Sequence, residues 1–156
     1  MKLNLLWGTG HPLSGYTNID PHSYNKEGVV NGDITKLDEF VEDSEATEIL
    51  AINIIDYLPY SIVCSTISAW VKKLRRGGKI IIGGVEIQEL CKIFSQKGMS
   101  IDEFLISAHG HQSNPWEFKA SHMTIKDLES VLNQHGLKIL KKRINGFKMS
   151  VEAQRI

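Results

Sequence analysis

The chain has 156 residues, and its 18 lysines and arginines are balanced by 18 aspartates and glutamates. This length suits one ordinary domain that can bury a core without disulfides or metal ions. A net charge of zero provides no overall field that would attract a nucleic-acid backbone or an anionic membrane, which disfavours both as partners.

The first half of the chain alternates short apolar runs with polar turns, as in a layered α/β fold. The run over Glu48–Ile54 is nearly continuous, which is typical of a strand buried on both faces of a parallel sheet. The predicted elements are strands over Lys2–Leu6, Tyr16–Ile19, Val29–Asn31 and Glu48–Ile54, a loop over Gly8–Gly15 and a brief helix over Leu37–Val41.

The second half begins with the clearest helix pattern, Ser61–Leu74, for which Ser61 is the predicted N-cap. Thr124 with Asp127 resembles a capping box at the start of a later helix that ends at Gly136. The remaining predictions are strands over Lys79–Ile82, Leu137–Ile144 and Met149–Arg155, helices over Ile87–Phe94 and Ile101–Ser107, and an irregular segment over His109–Ser121.

Asn145-Gly146 favours a tight antiparallel hairpin between the last two strands. We therefore predict one α/β domain over residues 1–156, with a Rossmann-like, mostly parallel sheet and an antiparallel C-terminal hairpin. Lys141, Lys142 and Arg143 fall in this hairpin, and we interpret them as a solvated strand face.

Cys64 and Cys91 fall in apolar helical patterns, which predicts buried thiols in a reducing compartment and not a disulfide framework. No apolar run approaches the roughly 18 residues of a membrane span, and the first residues lack the apolar stretch of a signal peptide. We expect a cytoplasmic protein that is not embedded in a membrane.

The order of these elements resembles the class I S-adenosylmethionine-dependent methyltransferases, especially compact, type 11-like members in which the glycine loop runs almost directly into the second strand. The segment Asn4–Gly10 resembles the family's glycine loop. Two glycines match the family pattern, whereas Leu6 stands at the first glycine and Asn4 at the acidic position.

The resemblance implies a cofactor pocket for S-adenosylmethionine at the ends of the first four strands. Asp20 corresponds to the carboxylate that holds the ribose hydroxyls, and Asp33 to the residue that accepts a hydrogen bond from the adenine amino group. Ile34 would pack on the adenine ring. The full set of implied cofactor residues is Trp7, Gly8, Gly10, Asp20, Gly32, Asp33, Ile34, Asn53 and Ile54.

Each of these assignments has a structural alternative. Gly8 and Gly10 could form a simple turn, Asp20 could cap a turn before Pro21, and Asp33 could cap the short helix after it. Trp7 could fill the space meant for the methionine portion of the cofactor or pack beneath the loop. A dinucleotide site is disfavoured, because it needs a helix N-terminus to hold the pyrophosphate, and the third glycine of that motif would fall at Leu13.

Asp56, His109, His111 and His122 lie in predicted loops and are the candidate general bases for a hydroxyl acceptor. The spacing of the three histidines matches no strong metal-ligand pattern, so we predict no metal. Trp116 and Phe118 could cover the acceptor pocket or fix the loop to the core.

The leading hypothesis is a methyltransferase that transfers a methyl group from S-adenosylmethionine to a small-molecule acceptor. The segment Asp56–Tyr60 does not match the motif of base-methylating enzymes, which is a further reason to expect a small acceptor. The alternative is a catalytically inactive binding or partner subunit of the same fold, because Leu6 and Trp7 could occlude the site. Assembly into a homo-oligomer is left open.

Overall fold

A computed structural model describes all residues, 1–156, and contains one seven-stranded sheet with strand order β3-β2-β1-β4-β5-β7-β6. Strands β1 to β5 run parallel, and β7 lies antiparallel between β5 and β6. The mostly parallel sheet with an antiparallel C-terminal hairpin is thereby confirmed. The strands are β1 Lys2–Leu5, β2 Thr17–Asp20, β3 Val29–Asn31, β4 Ala46–Ile52, β5 Leu74–Val85, β6 Leu137–Asn145 and β7 Lys148–Arg155.

The α-helices all follow β4 along the chain. The Thr124 side chain caps the last one by accepting a hydrogen bond from the Asp127 amide at 3.1 Å, as the sequence predicts. The helices are α1 Val63–Lys73, α2 Ile87–Ser95, α3 Ile101–His109 and α4 Ile125–Gln134, and single 3-10 turns cover Leu37–Glu39 and Ile55–Tyr57.

Several predicted boundaries are wrong, among them Glu48–Ile54, which is Ala46–Ile52 in the structure. Helix α1 has Ile62 at its N-cap and not Ser61, because the Ile62 amide closes a turn onto the Pro59 carbonyl at 3.0 Å. Strand β5 begins at Leu74 and not at Lys79, because Leu74 already pairs with Ala46 of β4.

One face of the sheet forms the core. Leu3, Ile49, Ile80 and Ala153 lie side by side in register across four strands, and none of them is exposed to solvent. Trp70 of α1 and Leu128 of α4 pack in the same core cluster. The amphipathic helices therefore cover this face, as their apolar periodicity requires.

The opposite face is polar. The adjacent register row consists of Lys2, Glu48, Lys79 and Gln154, and Lys79 forms a cross-strand ion pair with Glu152 at 3.2 Å. The prediction that β4 is buried on both faces is wrong, since Ile52 is 43% exposed. The reason is that the segments joining β1, β2 and β3 contain no helix that would cover this face.

The predicted solvated face of the hairpin is confirmed: Lys141, Lys142 and Arg143 are exposed. The cysteine prediction is wrong, because Cys64 and Cys91 are exposed free thiols on α1 and α2. None of the helices combines the length and the hydrophobicity that a membrane crossing requires.

Candidate functional site at the carboxyl ends of the strands

The five parallel strands end at one edge of the sheet, which is where open α/β sheets bind ligands. The polar residue at this edge with the most hydrogen bonds is Asp20, the last residue of β2, whose exposed fraction is 1%. The Gly8 amide donates to both of its carboxylate oxygens, at 2.9 and 3.0 Å, and the His22 amide donates at 2.8 Å. The Ser23 hydroxyl donates at 2.6 Å. Asp20 thus holds together the segments that follow β1 and β2.

Four aromatic rings, of Trp7, His22, Tyr57 and Trp116, form a cluster beside the glycine loop. The indole of Trp7 donates a hydrogen bond to the Trp116 carbonyl at 2.6 Å, and its ring lies parallel to that of Tyr57 with centroids 6.0 Å apart. His22 stacks on Trp116 at 4.8 Å. A Cβ atom at Gly8 would lie 2.6 Å from Trp116 Nε1, so the missing side chain makes room for this indole. The indole of Trp116 fills the space beside the glycine loop.

His22 is the member of this cluster with an unsatisfied hydrogen-bonding atom. Its Nε2 atom is buried and has no hydrogen-bond partner. Burial lowers the pKa of His22, and the nearby charge of Asp20 opposes this shift. A buried polar atom without a partner is costly and is uncommon in native structures.

The end of β3 carries the residues that the resemblance assigns to adenine. Asp33 is exposed, and its carboxylate accepts hydrogen bonds from the Thr35 amide at 2.9 Å and the Thr35 hydroxyl at 2.6 Å. Ile34 is fully buried, and its carbonyl accepts a hydrogen bond from Trp70 at 2.7 Å. Gly32 donates to the Asp20 carbonyl at 3.2 Å. Asp33 therefore forms a local turn, and Ile34 packs in the core.

The remaining predicted cofactor residues differ in exposure. Asn53 is exposed in a left-handed conformation with φ 58°, and its amide donates to the Gly83 carbonyl at 3.0 Å. Ile54 is only 2% exposed and belongs to the core. Gly10 is exposed, with a positive φ of 88° that favours glycine.

A second polar cluster lies beneath the ends of β4 and β5. Asp56 is 2% exposed, and its carboxylate accepts a hydrogen bond from the Val85 amide at 3.0 Å. Lys119 Nζ lies 3.9 Å from one carboxylate oxygen, and His122 Nδ1 lies 3.8 Å from the other. Burial raises the pKa of Asp56, while the Val85 amide, Lys119 and His122 oppose this rise.

The side chains of Asp56 and His122 lie close together without forming a hydrogen bond. Asp56 Oδ1 and His122 Nδ1 are both buried without a hydrogen-bond partner. His122 Nε2 lies 2.6 Å from the Ala108 carbonyl, which can only accept, so we assign a proton to Nε2. His122 Nδ1 and Asp56 Oδ1 are 3.8 Å apart, which is too far for a direct hydrogen bond, so both atoms are free to bind a ligand group.

Cavities lie on both sides of this cluster. One of about 240 Å³ is lined by Asn53, Tyr57, His111 and Lys119 among others, at the ends of β4 and β5. Another of about 320 Å³ lies between α1 and α4 and is lined by Tyr60, Cys64, His122 and Asp127 among others. Two of the four predicted general bases, Asp56 and His122, are thus brought together, and His111 lies on the smaller cavity.

Comparison with known proteins gives matches only among solved structures; no family model and no curated protein matches the chain. A methyltransferase from Methanosarcina mazei, described as S-adenosylmethionine-dependent, superposes with a TM-score of 0.64 at 15% identity, over 99% of this chain and 92% of its own. An O-methyltransferase family protein from Burkholderia thailandensis has a TM-score of 0.58 at 12% identity, over 90% of this chain.

The 1,6-didemethyltoxoflavin-N1-methyltransferase of Burkholderia thailandensis, solved with bound S-adenosylhomocysteine, has a TM-score of 0.59 at 10% identity, over 90% of this chain. The chain spans 44% of the length of the O-methyltransferase family protein and 60% of this enzyme. The chain has the class I methyltransferase fold. These identities are low, so the likeness shows the fold and leaves the site to be argued from its residues.

Within this methyltransferase fold, two residues of the site were not identified from the sequence. Lys119 beside Asp56 and His22 beside Trp116 gave no sequence signal, because each stands in an irregular segment without periodicity. Trp116 had one signal, a large aromatic residue in a long polar loop. His109 does not line the two cavities; it ends α3 and its ring packs on Phe118 with centroids 6.5 Å apart.

Proposed function

We propose that this chain is a methyltransferase that transfers a methyl group from S-adenosylmethionine to a small-molecule acceptor. The observation that carries the proposal is the carboxylate of Asp20, which lies at the end of β2 beside the bare backbone of Gly8 in a sheet of methyltransferase order. In the closed state Asp20 accepts hydrogen bonds from Gly8, His22 and Ser23, so it would accept from ribose hydroxyls once these contacts open. Such a site needs no phosphate-binding helix.

The residues at this edge fit the cofactor on two further observations. Glycine at position 8 places no side chain of its own beside the carboxylate, and the side chains nearest to a Cβ there are the indole of Trp116 at 2.6 Å and His22 Cβ at 3.4 Å. The unpartnered Nε2 of His22 lies in the ring stacked on that indole, so a polar ligand group could satisfy it. Cofactor entry therefore requires Trp116, in the irregular segment between α3 and α4, to move away from Gly8.

In the proposed reaction the chain aligns the cofactor with the acceptor, excludes water and provides a proton acceptor. Bound S-adenosylmethionine would supply a methyl group that its sulfonium has already activated. Asp20 and the backbone of Gly8 would hold the adenosine side, and Trp7, Tyr57 and Trp116 would exclude water. The Asp56 and His122 pair would receive the proton that the acceptor loses when it forms its bond to the methyl carbon.

The finer parts of this proposal come from the sequence. A small acceptor follows from the zero net charge and from the segment after β4. A cytoplasmic location is likewise a proposal that we draw from the sequence.

Calorimetric titration of the full chain with S-adenosylmethionine tests the proposed cofactor. We expect micromolar binding that Asp20→Asn weakens by about tenfold or more, because the amide can no longer accept two charged hydrogen bonds. Asp102→Asn is the matched control, since Asp102 is an exposed aspartate in the first turn of α3, outside the site. Absence of heat with the wild-type chain would contradict the proposal and favour an inactive partner subunit. A parallel titration with a nicotinamide dinucleotide is expected to show no binding.

A further inference from the structure

The cavity of about 240 Å³ at the ends of β4 and β5 has an unusual balance of charge. Its ten lining residues include Lys119, Lys148 and His111 but no aspartate or glutamate. Lys148 is exposed and forms no ion pair within the chain. The cavity therefore gathers two ammonium groups whose charge no carboxylate in its wall neutralises.

The ammonium group of Lys119 is fixed by the protein and still has unused hydrogen-bond donors. Its side chain is 16% exposed, and its ammonium donates one hydrogen bond, to the Ser107 carbonyl at 3.0 Å. The nearest carboxylate oxygen, of Asp56, lies at 3.9 Å, which is beyond hydrogen-bond distance. An ammonium group has three donors, so Lys119 can bind a ligand without losing its own support.

The two lysines act on the same space. Burial lowers the pKa of Lys119, the charge of Asp56 opposes this, and the charge of Lys148 lowers it further. Two like charges that repel each other across a cavity would be relieved by an anion between them. The carboxylate of Glu117, the other acidic group nearby, is bonded to the amides of Ser113 and Asn114 at 2.8 and 3.2 Å.

The rest of the wall combines apolar side chains with the polar groups of Asn53 and Ser107. Tyr57, Val85 and Phe147 form part of its wall. Asn53 also lines it, and its side-chain amide has no hydrogen-bond partner in the protein. A ligand that fits this wall has an anionic end near the lysines and an apolar body on the rings.

We infer that this cavity binds a small organic anion, a carboxylate or phosphate attached to an apolar ring or chain. The cavity adjoins the cofactor region, because the ring of Tyr57 in its wall is parallel to that of Trp7, with centroids 6.0 Å apart. We therefore take this anion as the chemical class of the methyl acceptor, and that part of the inference rests on the function proposed above. The anion site itself does not depend on the cofactor and can be tested without it.

The experiment is an NMR titration of the full-length chain, without S-adenosylmethionine, with benzoate, phenyl phosphate and neutral benzyl alcohol. We expect the two anions to shift the amide signals of Val85, Lys119 and Lys148 saturably, and benzyl alcohol to bind about tenfold more weakly or not at all. The response to benzoate against phenyl phosphate tells which anionic group the site prefers. Binding is also expected to weaken as ionic strength rises.

Lys119→Met and Lys148→Met keep the apolar stem and remove the charge, and each is expected to weaken anion binding about fivefold or more. Lys138→Met is the matched control, because Lys138 is an exposed strand lysine at the opposite end of the β6–β7 hairpin. Lys148 is a surface residue, so its variant keeps the test valid even if Lys119→Met unfolds.

Lack of saturable binding, equal binding of benzyl alcohol, or affinity unchanged in both variants would overturn the inference. Failure of the proposed function has a different signature, namely no heat with S-adenosylmethionine while the anions still bind. Binding of S-adenosylmethionine without binding of the anions would overturn this inference alone.

Discussion

The indole nitrogen of Trp7 donates a hydrogen bond to the backbone carbonyl of Trp116 at 2.6 Å. This bond joins the residue after β1 to the irregular segment between α3 and α4, across the place where the glycine loop faces Asp20. His22 completes the cover by stacking on Trp116 at 4.8 Å. The candidate cofactor site is therefore closed by aromatic side chains, and its opening is the first event that binding requires.

Removing this cover is expected to strengthen cofactor binding. The apparent affinity of a ligand that binds only the open state is its intrinsic affinity multiplied by the fraction of open molecules, so Trp116→Ala should raise the affinity for S-adenosylmethionine by about tenfold. Calorimetric titration measures the effect. Phe118→Ala is the control, because Phe118 lies in the same segment and is 52% exposed. Weaker binding by Trp116→Ala would instead mean that the indole is part of the binding surface.

The close approach of Trp116 to Gly8 predicts that a side chain at position 8 destabilises the protein, and that it does so less when the Trp116 indole is absent. Gly8→Ala combines a positive φ of 72° with a Cβ position 2.6 Å from Trp116 Nε1. We expect it to lower the free energy of unfolding by about 2 kcal/mol or more, and by only about 1 kcal/mol in the Trp116→Ala background. Urea denaturation of the four proteins gives the coupling.

Gly77→Ala separates backbone strain from the clash. Gly77 has a similar φ of 76°, and a Cβ atom there would meet nothing within 4 Å. Its substitution should therefore cost only the backbone term, about 1 kcal/mol. Equal losses in the free energy of unfolding at positions 8 and 77 would show that the Trp116 indole moves aside without a measurable loss of stability.

The buried carboxyl of Asp56 predicts a dependence of stability on pH. Burial raises its pKa in the folded chain. Such a group contributes stability that is fully present below its unfolded pKa, at about pH 4, and is lost as the pH rises through the folded pKa. Asp56→Asn cannot titrate, so its free energy of unfolding should increase relative to the wild type as the pH rises through this window.

Urea unfolding of both proteins at a series of pH values measures this difference. Lys119 and His122, the charged or titratable groups that face Asp56, are present in both chains. The measured difference therefore reports the ionisation of Asp56 together with its interaction with these two neighbours. Parallel curves would mean that Asp56 ionises in the folded protein as easily as in the unfolded one. The same variant is expected to reduce methyl transfer if Asp56 and His122 receive the proton.

Trp70 links the core to the end of β3. It is fully buried and donates a hydrogen bond to the Ile34 carbonyl at 2.7 Å. Trp70→Phe leaves this buried carbonyl without a partner and creates a small cavity, so we expect a loss of about 2–4 kcal/mol in the free energy of unfolding. Denaturant unfolding tests it against Trp116→Phe, where the half-buried indole should cost less.

The regular elements were predictable because their signals are local. The period of Val63, Ile67, Trp70 and Val71 identifies α1, and Asn145-Gly146 identifies the turn between β6 and β7. The start of β5 was not, since it depends on the pairing of Leu74 with the distant residue Ala46. The start of α1 differs by one residue because of the local turn that the Ile62 amide closes on the Pro59 carbonyl. That residues 1–156 form one domain stays a prediction.

The candidate site was predictable only in part. Asp20 could be named because it ends a strand and follows a glycine loop, and Asp56 because it follows β4. Nothing in the sequence indicated that His122 would face Asp56 at 3.8 Å while His109 would pack on Phe118. In the sequence both histidines lie in or beside the segment that is predicted to be irregular. Only the path of the chain between α3 and α4 distinguishes them.

The sequence by itself determined the order of strands and helices and the residues at the strand ends, because hydrophobic periodicity and turn chemistry act over a few neighbours along the chain. Only the tertiary structure decided that Trp116 covers Gly8, that one sheet face is solvated, and that Lys119 and Lys148 share a cavity. Such contacts join residues far apart in sequence, and their geometry is set by how whole elements pack.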